Sequence, residues 1–258
     1  MIPRPSIVEW GRTVSWPTVD QIEQDLLLSR LIVEIANNAY LGEELFFRGG
    51  TCLHKLRLPA PYRYSEDLDY VRRSGGGIAE ITRSLTQIGS GLGLEVRTKI
   101  GQHPKVYFRA PFESGTVVMK VKVEMNTFER SPARSYERVR YDVASSWFQG
   151  GADVATFALP ELVATKIRAL FQRSKGRDLF DLWLALTVLE VDPQEMLACF
   201  EPYRPEGMTA GRAEQNLRLK LGDANFRADL TPLVTEWPPG YDLDLAAELI
   251  VTALLSKL

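Results

Sequence analysis

The sequence predicts an α/β fold in two lobes: a mixed sheet with helices through residue 158, and a helical lobe over 159–258. Three observations predict it. Strand-like alternation over 94–100, 105–112 and 117–125 is confined to the first part of the chain, with Gly and Pro between the segments. At Leu159-Pro160-Glu161 a helix opens with proline in its first turn, and the period stays helical from there. Between a short apolar strand and a helix lies the pair Gly49-Gly50, where backbone without Cβ atoms can approach a ligand closely.

In chain order, residues 1–17 hold three prolines and two tryptophans without a clear period and read as an irregular arm. Thr18 opens a helix with Gln21 three residues on, a capping box, and Ile22, Leu26, Val33, Ala36 and Tyr40 give it an apolar stripe as far as Gly42. Residues 45–48 form a buried strand into the glycine pair. Leu53 and Leu56 pack the helix that follows, Pro59 and Pro61 end it, and Lys55 and Arg57 belong to its outer surface. A strand through Asp67 and Asp69, a Gly-rich link and a helix over 78–88 lead to the three alternating segments. Residues 129–152 read as a basic, aromatic-rich connection, with one more strand at 154–158. Helices follow at 160–173 and after Lys175-Gly176-Arg177-Asp178, then three or four more from Asp192 onward, where Arg212, Arg218, Lys220 and Arg227 make the chain locally basic.

Composition bounds the partners. With 258 residues, 45% hydrophobic and 25% charged, the chain can bury a sizeable core, and a net charge of −2 excludes nucleic-acid binding driven by a whole-molecule basic field. Two cysteines and two histidines, Cys52, Cys199, His54 and His103, are too few and too scattered for a disulfide framework or a zinc site. No run approaches the roughly eighteen apolar residues of a membrane span, and no secretory signal opens the chain, so a cytoplasmic protein without a membrane partner is expected.

The chemistry is concentrated between Phe46 and Tyr70. Amides at a helix start after Gly49-Gly50 suit an anion. Asp67 and Asp69, two apart on a strand, put both carboxylates on one face and suit a divalent cation. Mg²⁺ is commonly held by one or two carboxylates together with substrate phosphates, so the two parts make a nucleotide site. Val117, Met119, Val121 and Val123 share one strand face, while Lys120, Lys122 and Glu124 share the other.

The run Gly49-Gly50-Thr51-Cys52-Leu53-His54-Lys55, with Arg63-Tyr64-Ser65-Glu66-Asp67-Leu68-Asp69-Tyr70, resembles the signature of the AbiEii/AbiGii-type nucleotidyltransferase toxins, within the DNA polymerase β-like nucleotidyltransferase superfamily. Thr51 stands for the superfamily's serine, and the spacer to Asp-x-Asp is long. The helical Lys166 and the run Arg177-Asp178-Leu179-Phe180-Asp181-Leu182 resemble later motifs of that family. The resemblance implies a polymerase β-like core whose nucleotide lies between the lobes. It implies Mg²⁺ or Mn²⁺ on Asp67 and Asp69 with Glu124 as third ligand, phosphates on Gly49, Gly50, Thr51, Ser65 and Lys166, and Asp178 as an essential polar residue. It further implies a toxin that transfers nucleotides from an NTP to RNA, the tRNA 3′ end in characterised relatives, blocking translation, together with a cognate antitoxin protein or its operon.

Other readings stay open on the residues alone. Asp178 also suits a helix cap, Lys166 a solvated helix face, and Glu124 a strand carboxylate paired with Lys122. Transfer to a protein or small molecule, or a catalytically silent nucleotide- or antitoxin-binding module, would keep the same fold. Arg130, Arg134, Arg138 and Arg140 among Tyr136, Tyr141 and Trp147 suit an RNA path, or simply an exposed connection.

Overall fold

The structure is a computed structural model that describes residues 2–115 and 117–258. It divides into two compact units: Met1–Leu56, Tyr64–Pro132 and Tyr136–Phe157 form one, and Arg57–Arg63, Ala133–Ser135 and Ala158–Leu258 the other.

The first unit begins with a helix rather than the expected arm, α1 (Arg4–Val14). Its prolines sit at the start, where a missing N–H leaves no hydrogen bond unmade, and Ile7, Trp10 and Val14 form a buried helical stripe. Helix α2 (Val19–Asn37) carries the expected capping box: Thr18 Oγ1 accepts from the Gln21 amide at 3.2 Å, and Gln21 Oε1 accepts from the Thr18 amide at 3.1 Å. Leu26, Leu28, Leu31, Ile32 and Ile35 are buried on several sides of α2, as in a helix packed into a core.

A short helix α3 (Leu41–Glu44) leads into β1 (Leu45–Arg48), then α4 (Gly49–Cys52), which continues as a π-helical turn over Leu53–Arg57. That wider turn overturns the outward placement of Lys55. Its ammonium donates to buried Asp25 Oδ2 at 2.7 Å and to Ser29 Oγ at 3.1 Å, beside the Trp10 ring. A π turn rotates side chains away from the 3.6-residue positions assumed from the sequence.

Strand β2 (Asp67–Arg72), helix α5 (Ala79–Gly91), and strands β3 (Glu95–Lys99), β4 (Lys105–Pro111) and β5 (Val118–Asn126) follow, close to the predicted segments. Val117 lies before β5 and is exposed, so the buried face is Met119, Val121, Val123 and Met125. The expected connection over 129–152 contains a strand, β6 (Glu137–Ala144), hairpinned onto β7 (Gln149–Thr156). Val139, Tyr141 and Val143 alternate there with exposed Arg138, Arg140 and Asp142, a period of two hidden in the sequence by the density of charge.

The seven strands form one sheet in the order β3-β4-β5-β2-β1-β7-β6. Pairs β2/β5 and β1/β7 are parallel and the others antiparallel, so the sheet is mixed as predicted. Phe47, Leu68, Phe108, Val121 and Val123 are fully buried, each such side chain contributing about 1.5–3 kcal/mol. The central strands β5, β2 and β1 carry the polar residues of the site.

The second unit holds α6 (Leu159–Gln172), α7 (Gly176–Thr187), α8 (Pro193–Phe200), α9 (Ala210–Leu221), α10 (Ala224–Ala228) and α11 (Leu243–Ala253). Asp192, Thr209, Asp223 and Asp242 cap the last four, each side chain accepting from an amide of the first turn. Ile167, Leu179, Phe180, Phe200, Phe226 and Ile250 form its core. Glu161, wholly buried, accepts from the amides of Ala133 and Arg134 and from the Tyr203 hydroxyl, which satisfies its charge.

Candidate active site

Strand β2 places Asp67 and Asp69 on one face, and register supplies their neighbours. In the parallel β2/β5 pair Asp67 lies opposite Lys122 and Asp69 opposite Glu124; in the antiparallel β1/β2 pair Arg48 lies opposite Asp69. Five charged side chains therefore share one patch of the sheet. Lys122 Nζ lies 3.0 Å from Asp67 Oδ2 and 2.9 Å from Glu124 Oε2, and Lys105 Nζ lies 3.4 Å from Glu124 Oε2. Arg48 Nη1 donates to Glu129 Oε2 at 2.5 Å.

The Gly49-Gly50 turn closes on this patch. Gly49 has φ +82°, and a Cβ there would stand 2.6 Å from Asp69 Oδ2. Only glycine tolerates both the backbone and the approach. Thr51 is buried, its Oγ1 donating to the Asp67 carbonyl at 2.5 Å and lying 2.8 Å from Ser65 Oγ. The Thr51 hydroxyl thus fastens the turn to the Asp-x-Asp strand.

The carboxylates have unlike electrostatics. Burial and the neighbouring Asp67 charge push the Asp69 pKa up, against the pull of Lys122 and Arg48. Burial would raise Glu124 too, but the Lys122 ammonium bonded to it, with Lys105 beyond, holds it below the usual carboxylate value. Asp69 is thus a carboxylate short of positive charge.

The residues singled out near the chain's later motifs meet within the second unit. Lys166 Nζ is buried, 2.7 Å from Asp181 Oδ2 and 3.4 Å from Asp178 Oδ1. Arg173 forks Asp178 with bonds of 2.6 and 2.7 Å, and Arg63 forks Asp181 with bonds of 2.8 and 2.7 Å. Lys166 is therefore no solvated surface lysine. Asp178 is not a helix cap, since Lys175 occupies that position and the Asp178 carboxylate turns into the cluster. Burial opposes the charge on Asp178, but Lys166 and Arg173 outweigh it and lower its pKa. Arg63 and Asp181 lie within the two motif runs, but their pairing spans 118 positions and leaves no local signal.

Asp67 and Asp69 fit a hard divalent cation in donor chemistry: two carboxylates on one strand face, one of them destabilised by the other's charge. Glu124 shares that face, but Lys122 lies between it and Asp67. Among the described residues no group of three His, Cys, Asp or Glu side chains is gathered so as to hold a metal ion. The ligand set implied by resemblance is thus brought onto one face without being drawn into a three-carboxylate cluster.

The sheet with its flanking helices is a nucleotidyltransferase fold. It is similar to the crystal structure of JHP933 from Helicobacter pylori, with TM-score 0.55 and 17% identity over 92% of this chain and 91% of that one. It is also similar to MenT4, a nucleotidyltransferase toxin from Mycobacterium tuberculosis H37Rv, with TM-score 0.53 and 19% identity over 95% and 98%. No curated protein sequence matches the chain. The family described as nucleotidyl transferase AbiEii toxin, type IV TA system, matches residues 30–248, and the chain belongs to it. It is accordingly a nucleotidyltransferase of the toxin–antitoxin kind, a membership that implies an NTP substrate and an antitoxin. Among the described residues no helix is long and apolar enough to cross a membrane.

Proposed function

We propose that the protein is a cytoplasmic, Mg²⁺- or Mn²⁺-dependent toxin that transfers a nucleotidyl group from an NTP to an RNA acceptor, with the tRNA 3′ end as target, and so blocks translation. The observation that carries this reading is the seating of the Asp69 carboxylate against Gly49, with Asp67 beside it on β2. Family membership supports the transfer chemistry, and the exposed arginines of β6 support an RNA acceptor.

Asp67 and Asp69 would hold the cation, which when bound activates the attacking hydroxyl and neutralises triphosphate charge. Glu124 would join them once freed from Lys122. The amides of Gly49, Gly50 and Thr51 and the Ser65 hydroxyl orient the phosphates. Lys166, held by Asp178 and Asp181, would bind a phosphate oxygen of the NTP, the role that the family resemblance gives it. Phosphoryl chemistry of this kind asks the protein chiefly for positioning and charge, which these residues supply.

The test is incubation of purified protein with total RNA, Mg²⁺ and each labelled NTP in turn. Label in tRNA, absent with the Asp69→Asn variant, is the expected result. Label in protein or small molecules alone would overturn the RNA acceptor, and no label with any NTP would overturn transfer.

A further inference from the structure

The ammonium of Lys122 already stands among the carboxylates, 3.0 Å from Asp67 Oδ2 and 2.9 Å from Glu124 Oε2. Strand register puts it there, because Lys122 is opposite Asp67 and precedes Glu124 by two on the same face of β5. It quiets the repulsion between Asp67 and Glu124 as a bound cation would. The two kinds of cation are nevertheless mutually exclusive on one oxygen pair, since each claims the same lone pairs and they repel at such short range. The Lys122 side chain keeps 25% of its surface exposed, so its flexible stem has a way out.

We infer that Lys122 is a resident counter-ion that competes with the divalent cation for Asp67 Oδ2 and Glu124 Oε2, and that metal entry requires the ammonium to release both. The inference rests on the proposed metal role of Asp67 and Asp69. It explains how the chain folds with these charges balanced in the absence of metal, and it makes metal affinity the difference between two occupants of one place. Lys105, 3.4 Å from Glu124, stays as a weaker partner when Lys122 leaves. Arg48 does not substitute for Lys122, because its guanidinium is engaged by Glu129.

The test is calorimetric titration with Mn²⁺ of the wild type and of Lys122→Met, Lys122→Arg and Asp67→Asn. Lys122→Met should bind Mn²⁺ about tenfold more tightly, by removing the competing charge. Lys122→Arg should bind no more tightly than wild type, and Asp67→Asn should bind far more weakly. Wild-type or weaker affinity in Lys122→Met would overturn the inference. Should that variant not fold, the wild type carries the test. Acetylation of Lys122 by an N-hydroxysuccinimide ester, quantified by peptide mass spectrometry, should rise several-fold on adding Mn²⁺ while exposed Lys99 is unchanged. No rise would overturn the inference. Binding that is lost in Asp67→Asn but indifferent to Lys122 overturns this inference alone, whereas a wild type that binds no Mn²⁺ overturns the metal reading with it.

Discussion

Gly49 and Asp69 occupy one another's space: the left-handed Gly49, φ +82°, leaves the gap into which Asp69 Oδ2 fits, 2.6 Å from where a Cβ would be. Gly49→Ala therefore meets two penalties, a left-handed alanine and a displaced carboxylate. The backbone penalty alone is about 1–2 kcal/mol. Transfer should fall further than stability does, because the displaced group is the candidate metal ligand. Thermal melts beside labelled-NTP assays check this, and a Gly49→Ala enzyme of normal activity would refute the tight seating.

Asp69 also predicts a pH dependence. Its folded pKa stands above the ordinary 3.8, so the folded state prefers the protonated form. That preference is fully present below the unfolded value and is lost as pH rises through the raised folded value. Asp69→Asn should thus match the wild type in acid and exceed it in melting temperature at pH 7 in EDTA, while losing transfer. Glu124, with a lowered pKa, runs oppositely: its contribution is present above 4.5 and is lost as pH falls through the folded value. A lower melting temperature for Asp69→Asn at pH 7 would show that its charge is well compensated.

Local pattern carried the sequence reading a long way. The Thr18 capping box, the strand into Gly49 and the alternation from Met119 to Glu124 depend on neighbours a few residues apart, and each lies where its period puts it. What stayed hidden depends on register and distant pairing. That Lys122 reaches Asp67 follows from a parallel β2/β5 alignment that no spacing announces. The Arg63–Asp181 pair joins residues 118 positions apart. Lys55 was misplaced because a π turn has no distinctive local sequence, and β6 because its charged outer face masks the alternation beneath.

The Lys166 cluster predicts unequal costs for its members. Asp181→Ala would leave the buried Arg63 without its forked partner and remove the nearer carboxylate from Lys166, costing about 3–5 kcal/mol. Lys166→Met leaves Asp181 forked by Arg63 and Asp178 by Arg173, so its cost should be nearer 1–3 kcal/mol. The second variant should fold, with transfer reduced through a higher NTP KM, a lower kcat, or both. Denaturant melts and kinetics at limiting NTP decide it; equal destabilisation by the two substitutions would mean that the arginines do not sustain the carboxylates.

Arg138 and Arg140 give the sharpest test of the RNA acceptor. They stand on the exposed face of β6, Arg138 bonded to Glu43 and Arg140 to Asp142. Exposed pairs of this sort contribute about 0–1 kcal/mol, so phosphates can displace the carboxylates at little cost. Lys220 of the second unit is more committed, donating to the carbonyls of Leu170 and Phe171, whereas Arg227 forks Asp244 in an exposed pair like those of β6. Replacing Arg138 and Arg140 together by Gln should weaken tRNA binding and reduce the slope of log K against log salt by roughly 1–2, since each lost phosphate contact releases fewer counterions. NTP binding should be unchanged. Filter binding at several salt concentrations, with NTP affinity measured separately, checks both halves. An unchanged salt slope in the double variant, with tRNA still labelled, would keep the transferase and move the acceptor path off β6.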